Sequence, residues 1–504
     1  MKVHRLILAL SGTAALAGCS LTPAYHRPAM PVAVQWPTGT AYPGAKPQDG
    51  TTAAETRWQD FFRDDGLRRL ITIALANNRD LRQAMLNVEA FRAEHRIQKS
   101  ELIPSIGIAA SGNRQWLPGD VAISGKTGVQ SQFEVAAGFS SYELDLFGRV
   151  HALTQQALQV YFASDDARNS AQITLIGEVA NAYLGWRADQ DLLDLTNSTL
   201  ASYNRSLSIV ERNAHAGIAS ALTVRQARGL VQQTQTQQSI IIRRIAQDQN
   251  AITFLLGAEM PHDLARPQSL ETVVDMNLPV GLPSDLLLRR PDIRAAEHQL
   301  MAANANIGAA RAAFYPSITM SAGAGTTGFG MERLFAPGSG TWALIPQINV
   351  PIFNSGRLKA SLNSSEVQKD INVAQYEKVI QSAFRDVSDG LAARGTFSTQ
   401  LASQAASVKN DREYLGFAQE RFKTGIDGYL TVLDAERSLL ASRQELIMAR
   451  RMQVTSEVML YKALGGGWSS DPVAPPLACD PKTAPPEIRH TCPKSGPETA
   501  KPAN

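Results

Sequence analysis

The sequence predicts a mainly helical chain that contributes four strands to a membrane β-barrel, a duplicated unit in which long coiled-coil helices follow paired amphipathic strands. Three observations carry this. Residue matches recur far apart at one constant offset, a pair of segments of period-two apolarity occurs in each copy, and long proline-free tracts, Gly119 to Met260 and Ile352 to Asp471, take up much of each copy.

The duplication is clearest at RFKTGIDGYLTVLDAER, Arg421 to Arg437, whose worn counterpart is RNAHAGIASALTVRQAR, Arg212 to Arg228. Gly217 matches Gly425, Leu222 matches Leu430, Val224 matches Val432 and Ala227 matches Ala435, all at an offset of 208. The same offset pairs Gly148-Arg149 with Gly356-Arg357, and Leu256-Gly257 with Leu464-Gly465. A period this long is a tandem duplication within one body, not a short-repeat solenoid.

Taken in order, residues 1–18 are a basic start, an apolar run and a small-residue end, the pattern of a secretory signal. LAGC, ending at Cys19, resembles the lipobox of bacterial lipoproteins, in which the cysteine becomes the acylated N-terminus. Ser20 in place of aspartate favours the outer membrane, by resemblance to lipoprotein sorting. Residues 19–63 form a lipidated strap, with six prolines between 20 and 50. WQDFF, from Trp58, packs down the first helix. The first repeat spans 64–258 and the second 282–465, joined by a linker at 259–281.

Within the first repeat, Asp64 to Leu102 reads as one helical run, with Leu67, Leu70, Ile71, Ala74 and Leu75 on one face. The period then changes to two. Ile106, Ile108 and Ala110 share one face, as do Phe133, Val135, Ala137 and Phe139. The second repeat answers with Ile318, Met320, Ala322 and Ala324, then Trp342, Leu344, Ile348 and Val350. Polar, glycine-rich loops are expected near 114–128 and 326–340. Gly148 to His215 and Gly356 to Lys423, 68 residues each, would form helices about 100 Å long. The returning helices carry three-four spaced seams, Val224 to Leu255 and Val432 to Ala463, with small and polar members that suit a hollow bundle. Residues 466–504 are a proline-rich tail. Cys479 and Cys492 within it can pair in an oxidising compartment, which two cysteines alone do not decide.

Composition narrows the function. The 49 basic and 46 acidic residues are interspersed, so no basic stripe marks a nucleic-acid binder. No mature stretch has the apolar length of a spanning helix, so a membrane crossing must use strands. Four strands cannot close on themselves, and an open edge is not tolerated in a bilayer. Closure therefore needs other copies; two would make a narrow barrel and three a barrel of twelve strands with a water-filled lumen. The eight histidines are scattered, and no metal-ligand spacing, phosphate loop or nucleophile elbow occurs, so neither catalysis nor a cofactor is expected.

LAGC at Cys19, WQDFF at Trp58, YELDLFGR from Tyr142, RRPDIRAAE from Arg289, FYPSI from Phe314, VPIFNSGR from Val350 and the tip RFKTGIDGYLTVLDAER form an ordered set. In them the sequence resembles the TolC-like outer-membrane factors, specifically the NodT/OprM-like lipoprotein branch. The resemblance implies a homotrimer with a shared twelve-stranded barrel and a periplasmic α-helical barrel. It implies an exit duct of a tripartite efflux pump, docked on a periplasmic adaptor and an inner-membrane RND-type transporter. It also implies a gate at the second tip, where the family's acidic residue matches Asp434 and the following arginine Arg437. Their three-residue spacing puts both on one helix face, which also fits a solvated intrahelical pair. Around a three-fold axis Asp434 forms a carboxylate ring whose repulsion must be offset. Asp427 and Tyr429, in the turn, can link neighbouring helices, and Gly217 and Gly425 match the turns that adaptors grip. Thr223 and Thr431 stand where some relatives carry aspartates, so a second acidic ring is not implied. Phe422 stands where an aromatic, often tyrosine, is usual, so no hydroxyl latch carries over. His215 reads as a pH-sensitive latch or an exposed bystander.

Overall fold

The computed structural model describes residues 20–43, 53, 55–122, 125–266 and 269–468. The signal 1–18, the lipidation site Cys19, and Cys479 and Cys492 lie outside the described residues, as does most of the 466–504 tail.

The helices are α1 (Trp58–Phe61), α2 (Asp65–Asn77), α3 (Arg79–Ser100), α4 (Arg149–His215), α5 (Ala221–Leu256), α6 (Leu286–Arg289), α7 (Pro291–Ala312), α8 (Arg357–Lys423) and α9 (Tyr429–Ala463). The strands are β1 (Gly107–Leu117), β2 (Gly128–Leu144), β3 (Ser317–Gly328) and β4 (Gly340–Asn349). The two long helices α4 and α8 have 67 residues each, so the duplication read in the sequence is a duplication of structure. Among the described residues no helix is long and apolar enough to cross a membrane.

The chain divides into two compact units, each built from both repeats. The first holds residues 20–34, 83–170 and 283–385 of the described chain. Its four strands form one antiparallel sheet in the order β1-β2-β3-β4. β1 and β4 are the edge strands. Ile106 and Ile108 beside and in β1, and Trp342, Leu344 and Ile348 in β4, leave apolar side chains 55–79% exposed. This is the outward face of a membrane strand, not of a water-soluble sheet. The strands run further into the polar stretches than expected. Asn113 to Leu117 pair with Gly128 to Gln132, and Thr326 to Gly328 belong to β3, because the ladder follows backbone pairing and not side-chain apolarity.

In the same unit the strap lies on α7. Asn304 donates to the Pro23 carbonyl at 2.8 Å, and Arg27 grips the buried Glu297 carboxylate at 2.7 and 2.9 Å, with the Tyr25 hydroxyl at 3.1 Å.

The second unit holds residues 35–82, 171–282 and 386–468 of the described chain. WQDFF anchors it. Phe61 and Phe62 are fully buried, Phe61 stacks on Tyr461 at 4.1 Å, and the Tyr461 hydroxyl donates to the Thr56 carbonyl at 2.6 Å. The segment between the repeats is packed: Leu270, Val273, Val274, Leu278 and Val280 are buried, and Phe62 bridges to Val274. Arg394 of α8 makes a two-pronged ion pair with the buried Glu457 of α9, at 3.0 and 2.5 Å, and donates to the Leu278 carbonyl at 2.9 Å. The seam expected on the returning helices is buried at Ala227, Val231, Thr234, Ile241 and Ile252, and at Val432, Ala435, Leu439, Ser442, Ala449, Leu460 and Ala463.

The single helix expected over 64–102 is two, broken at Asn78, whose ψ is 133°. Its Oδ1 caps the Leu81 amide at 2.8 Å and its Nδ2 donates to the Leu255 carbonyl at 2.9 Å. The side chain thus starts α3 and ties it to the end of α5.

Candidate gate at the helix tips

The two tips, both in the second unit, share one backbone solution. Two residues past the end of each long helix the chain turns through a glycine of left-handed conformation, Gly217 at φ 76° and Gly425 at φ 75°. The amide three places past the helix then folds back, Ile218 to the Asn213 carbonyl at 2.8 Å and Ile426 to the Arg421 carbonyl at 2.9 Å. This is the helix stop that glycine alone makes without strain. A Cβ on either glycine would meet nothing within 4 Å, so backbone conformation and not space demands it. Ile218, Leu222, Ile426 and Leu430 surround the two turns at 62–77% exposure, so each tip presents an apolar pair at matching positions.

The tips differ in their polar chemistry. At the first, Ser220 caps α5 by accepting from the Thr223 amide at 3.2 Å. At the second, Gly428 offers no side-chain cap. Arg421 instead donates twice to Asp427, at 2.6 and 3.0 Å, and holds that carboxyl below its usual range. Asp427 therefore closes its own turn onto α8. At the offset of 208 its counterpart is Ala219 and that of Arg421 is Asn213, so the first tip has no such clasp.

Tyr429 is buried, with its ring 5.3 Å from Phe422. It belongs to an apolar cluster with Tyr203 and Val210 of α4, Ala227, Leu230 and Val231 of α5, Ala418 of α8, and Val432, Leu433 and Ala435 of α9. Burial pushes the Tyr429 hydroxyl up to about 12, against the pull of Ser206. Asp434 and Arg437 are both exposed on α9, and neither side chain makes a hydrogen bond or ion pair among the described residues. They do not pair with each other despite their spacing. Their counterparts in the first repeat are Gln226 and Gly229, so these two charges belong to the second tip alone. His215 is exposed at the first tip.

One acidic residue of the tip escaped the sequence reading. Glu436, between Ala435 and Arg437, is buried at 5% exposure and reaches Ser206 of α4 at 3.3 Å. The available signal was spacing, because Tyr429, Val432, Glu436 and Leu439 recur at intervals of three and four and so share the inward stripe. Among the described residues no group of histidine, cysteine and carboxylate side chains could hold a metal ion.

Comparison with known proteins gives a consistent result. A family model described as outer membrane efflux protein matches residues 70–258 and 282–466. The solvent efflux pump outer membrane protein SrpC of Pseudomonas putida is 53% identical over 454 residues, covering 90% of this chain and 96% of that protein. A crystal structure of a membrane protein from Pseudomonas aeruginosa superposes with a TM-score of 0.83 at 40% identity, covering 89% of this chain and 100% of that one. The open state of the Neisseria gonorrhoeae MtrE outer membrane channel superposes with a TM-score of 0.80 at 35% identity, over 89% of this chain and 99% of that one.

Proposed function

The chain belongs to the outer membrane efflux protein family, and from that premise we propose that it works as a trimer whose channel is shut at rest by the second helix tip. It is the outer-membrane exit duct of an efflux pump, with its helices in the periplasm. The observation that carries the trimer is the sheet: four strands expose an apolar face, and β1 and β4 are its two edges. Three copies joined β4 to β1 make twelve strands and leave no edge in the bilayer.

The gate reading rests on the second tip. Asp434 and Arg437 are exposed, and their side chains are unpaired among the described residues, which leaves them available to partners across a three-fold axis. Three Asp434 carboxylates brought together repel unless Arg437 of an adjacent copy, protons or cations offset them. Asp427 and Tyr429 serve this gate from within the protomer, one closing the turn and the other packing α9 down. The apolar pairs around Gly217 and Gly425 support docking of a periplasmic adaptor, which couples the duct to an inner-membrane RND-type transporter. Acylation at Cys19 anchors the chain in the outer membrane. The duct is passive and not an enzyme, and it needs no cofactor. The name of the 53% identical relative supports small apolar solutes as cargo.

Asp434→Cys, made with Cys479→Ser and Cys492→Ser, tests the gate geometry. Oxidation links protomers through position 434 on a non-reducing gel if the three tips converge. A chain that stays monomeric under oxidation, in trimers verified before denaturation, refutes the convergence.

A further inference from the structure

Glu436 is a carboxyl in an apolar seam. From α4 the Ser206 hydroxyl donates to it at 3.3 Å, its one side-chain hydrogen bond among the described residues, and among these its buried Oε2 has no partner. The Tyr203 hydroxyl of α4 is likewise buried without a partner among the described residues, and the Glu436 charge bears on both Tyr203 and Tyr429. Among the described residues the other elements at this seam bring no counter-charge to it. α5 contributes Ala227, Leu230 and Val231 and α8 contributes Ala418, with Leu415 and Phe422 packed alongside. Arg228 of α5 is turned to Glu211 of α4 at 2.7 Å, and Arg437, next in sequence, is exposed and bears on Tyr203. Burial, opposed by the Ser206 hydrogen bond, pushes the Glu436 carboxyl up from 4.5 to about 7. An ionised carboxylate costs far more in such a place than a neutral one. Arg228 occupies the matching position of the first repeat, so the buried acid, like the gate charges beside it, is particular to the second tip.

We infer that Glu436 is a proton-operated positioning residue for the gate: neutral, it lets α9 lie against α4; ionised, it loosens that seam and favours the open tip. The inference rests on the reading of Asp434 and Arg437 as the gate, which Glu436 adjoins without touching the channel's cargo. The sign follows from linkage. The closed seam binds the proton more tightly than a solvated glutamate does, so closure is favoured at low pH and weakened as pH rises from about 4.5 to about 7. If the carboxyl is solvated in the open form, the open-to-closed ratio rises on the order of 50- to 100-fold between pH 5 and pH 8.

The test is channel opening in planar bilayers from pH 4.5 to 8.5 for wild type, Glu436→Gln, Ser206→Ala and the Asp434→Ala plus Arg437→Ala double variant, each checked for intact trimers. Wild type opens with rising pH. Glu436→Gln loses most of that rise and stays near the wild-type acid level. Ser206→Ala, which removes the bond that favours the carboxylate, moves the upper limit of the response to higher pH. A Glu436→Gln profile that matches wild type overturns the latch, and so does an unmoved profile in Ser206→Ala. Failure of the gate reading looks different: the double variant would then conduct no more than wild type at pH 5.

Discussion

Replacing Gly425 by alanine isolates what the second tip asks of its backbone. At φ 75° an L-residue adopts a conformation that costs about 1–2 kcal/mol. The added methyl meets nothing within 4 Å, so no steric term adds to the strain. Gly416 provides the control, because it lies inside α8, is exposed, and also has open space where a Cβ would sit. There the same substitution should stabilise the helix by up to about 1 kcal/mol. One chemical change, nine residues apart, is thus expected to act with opposite signs. Amide hydrogen exchange of the peptides covering the tip reads this locally. Gly425→Ala should speed exchange roughly 5- to 30-fold, the factor that 1–2 kcal/mol gives, while Gly416→Ala slows it or leaves it unchanged. Equal exchange in the two variants would refute the assignment of the turn to a left-handed glycine.

Three further outcomes follow from the packing. Glu457→Ala leaves Arg394 without its carboxylate in a site where the acid is 2% exposed, and should destabilise by about 3–5 kcal/mol, seen as a fall in the melting temperature of the purified protein. Asn78→Ala removes both the cap on Leu81 and the bond to Leu255, at about 1–2 kcal/mol by the same measurement. Asp248 is pushed up from 3.8 to about 6 by burial and by the Asp189 charge, so its contribution is held below 3.8 and lost as pH rises through 6. Asp248→Asn should therefore melt higher than wild type at pH 8, and the gap should vanish near pH 4.

What could be read in the sequence was what local rules govern. The two 67-residue helices follow from proline-free tracts, and the identical turns from Gly217 and Gly425, where backbone geometry leaves one cheap choice. The four strands were visible in their alternation. Their ends were not, since pairing continues through polar residues such as Asn113 and Arg114. The break at Asn78 was hidden in an unbroken helical pattern, because its cause includes a carbonyl 177 residues away. The Arg421–Asp427 clasp spans six residues across a turn, a spacing that no helical rule suggests. Glu436 sits in sequence between an alanine and an arginine. Its three-four spacing from Tyr429, Val432 and Leu439 put it on the inward stripe, and the packing of α4 against α9 buries it there.

The central claim is a gated duct, and single-channel conductance of the purified trimer in planar bilayers tests it most directly. Wild type should show a small conductance that rises sharply in the Asp434→Ala plus Arg437→Ala double variant. Equal conductance of the two proteins would contradict a gate at the second tip, and no conductance from either, with insertion verified, would contradict the duct itself.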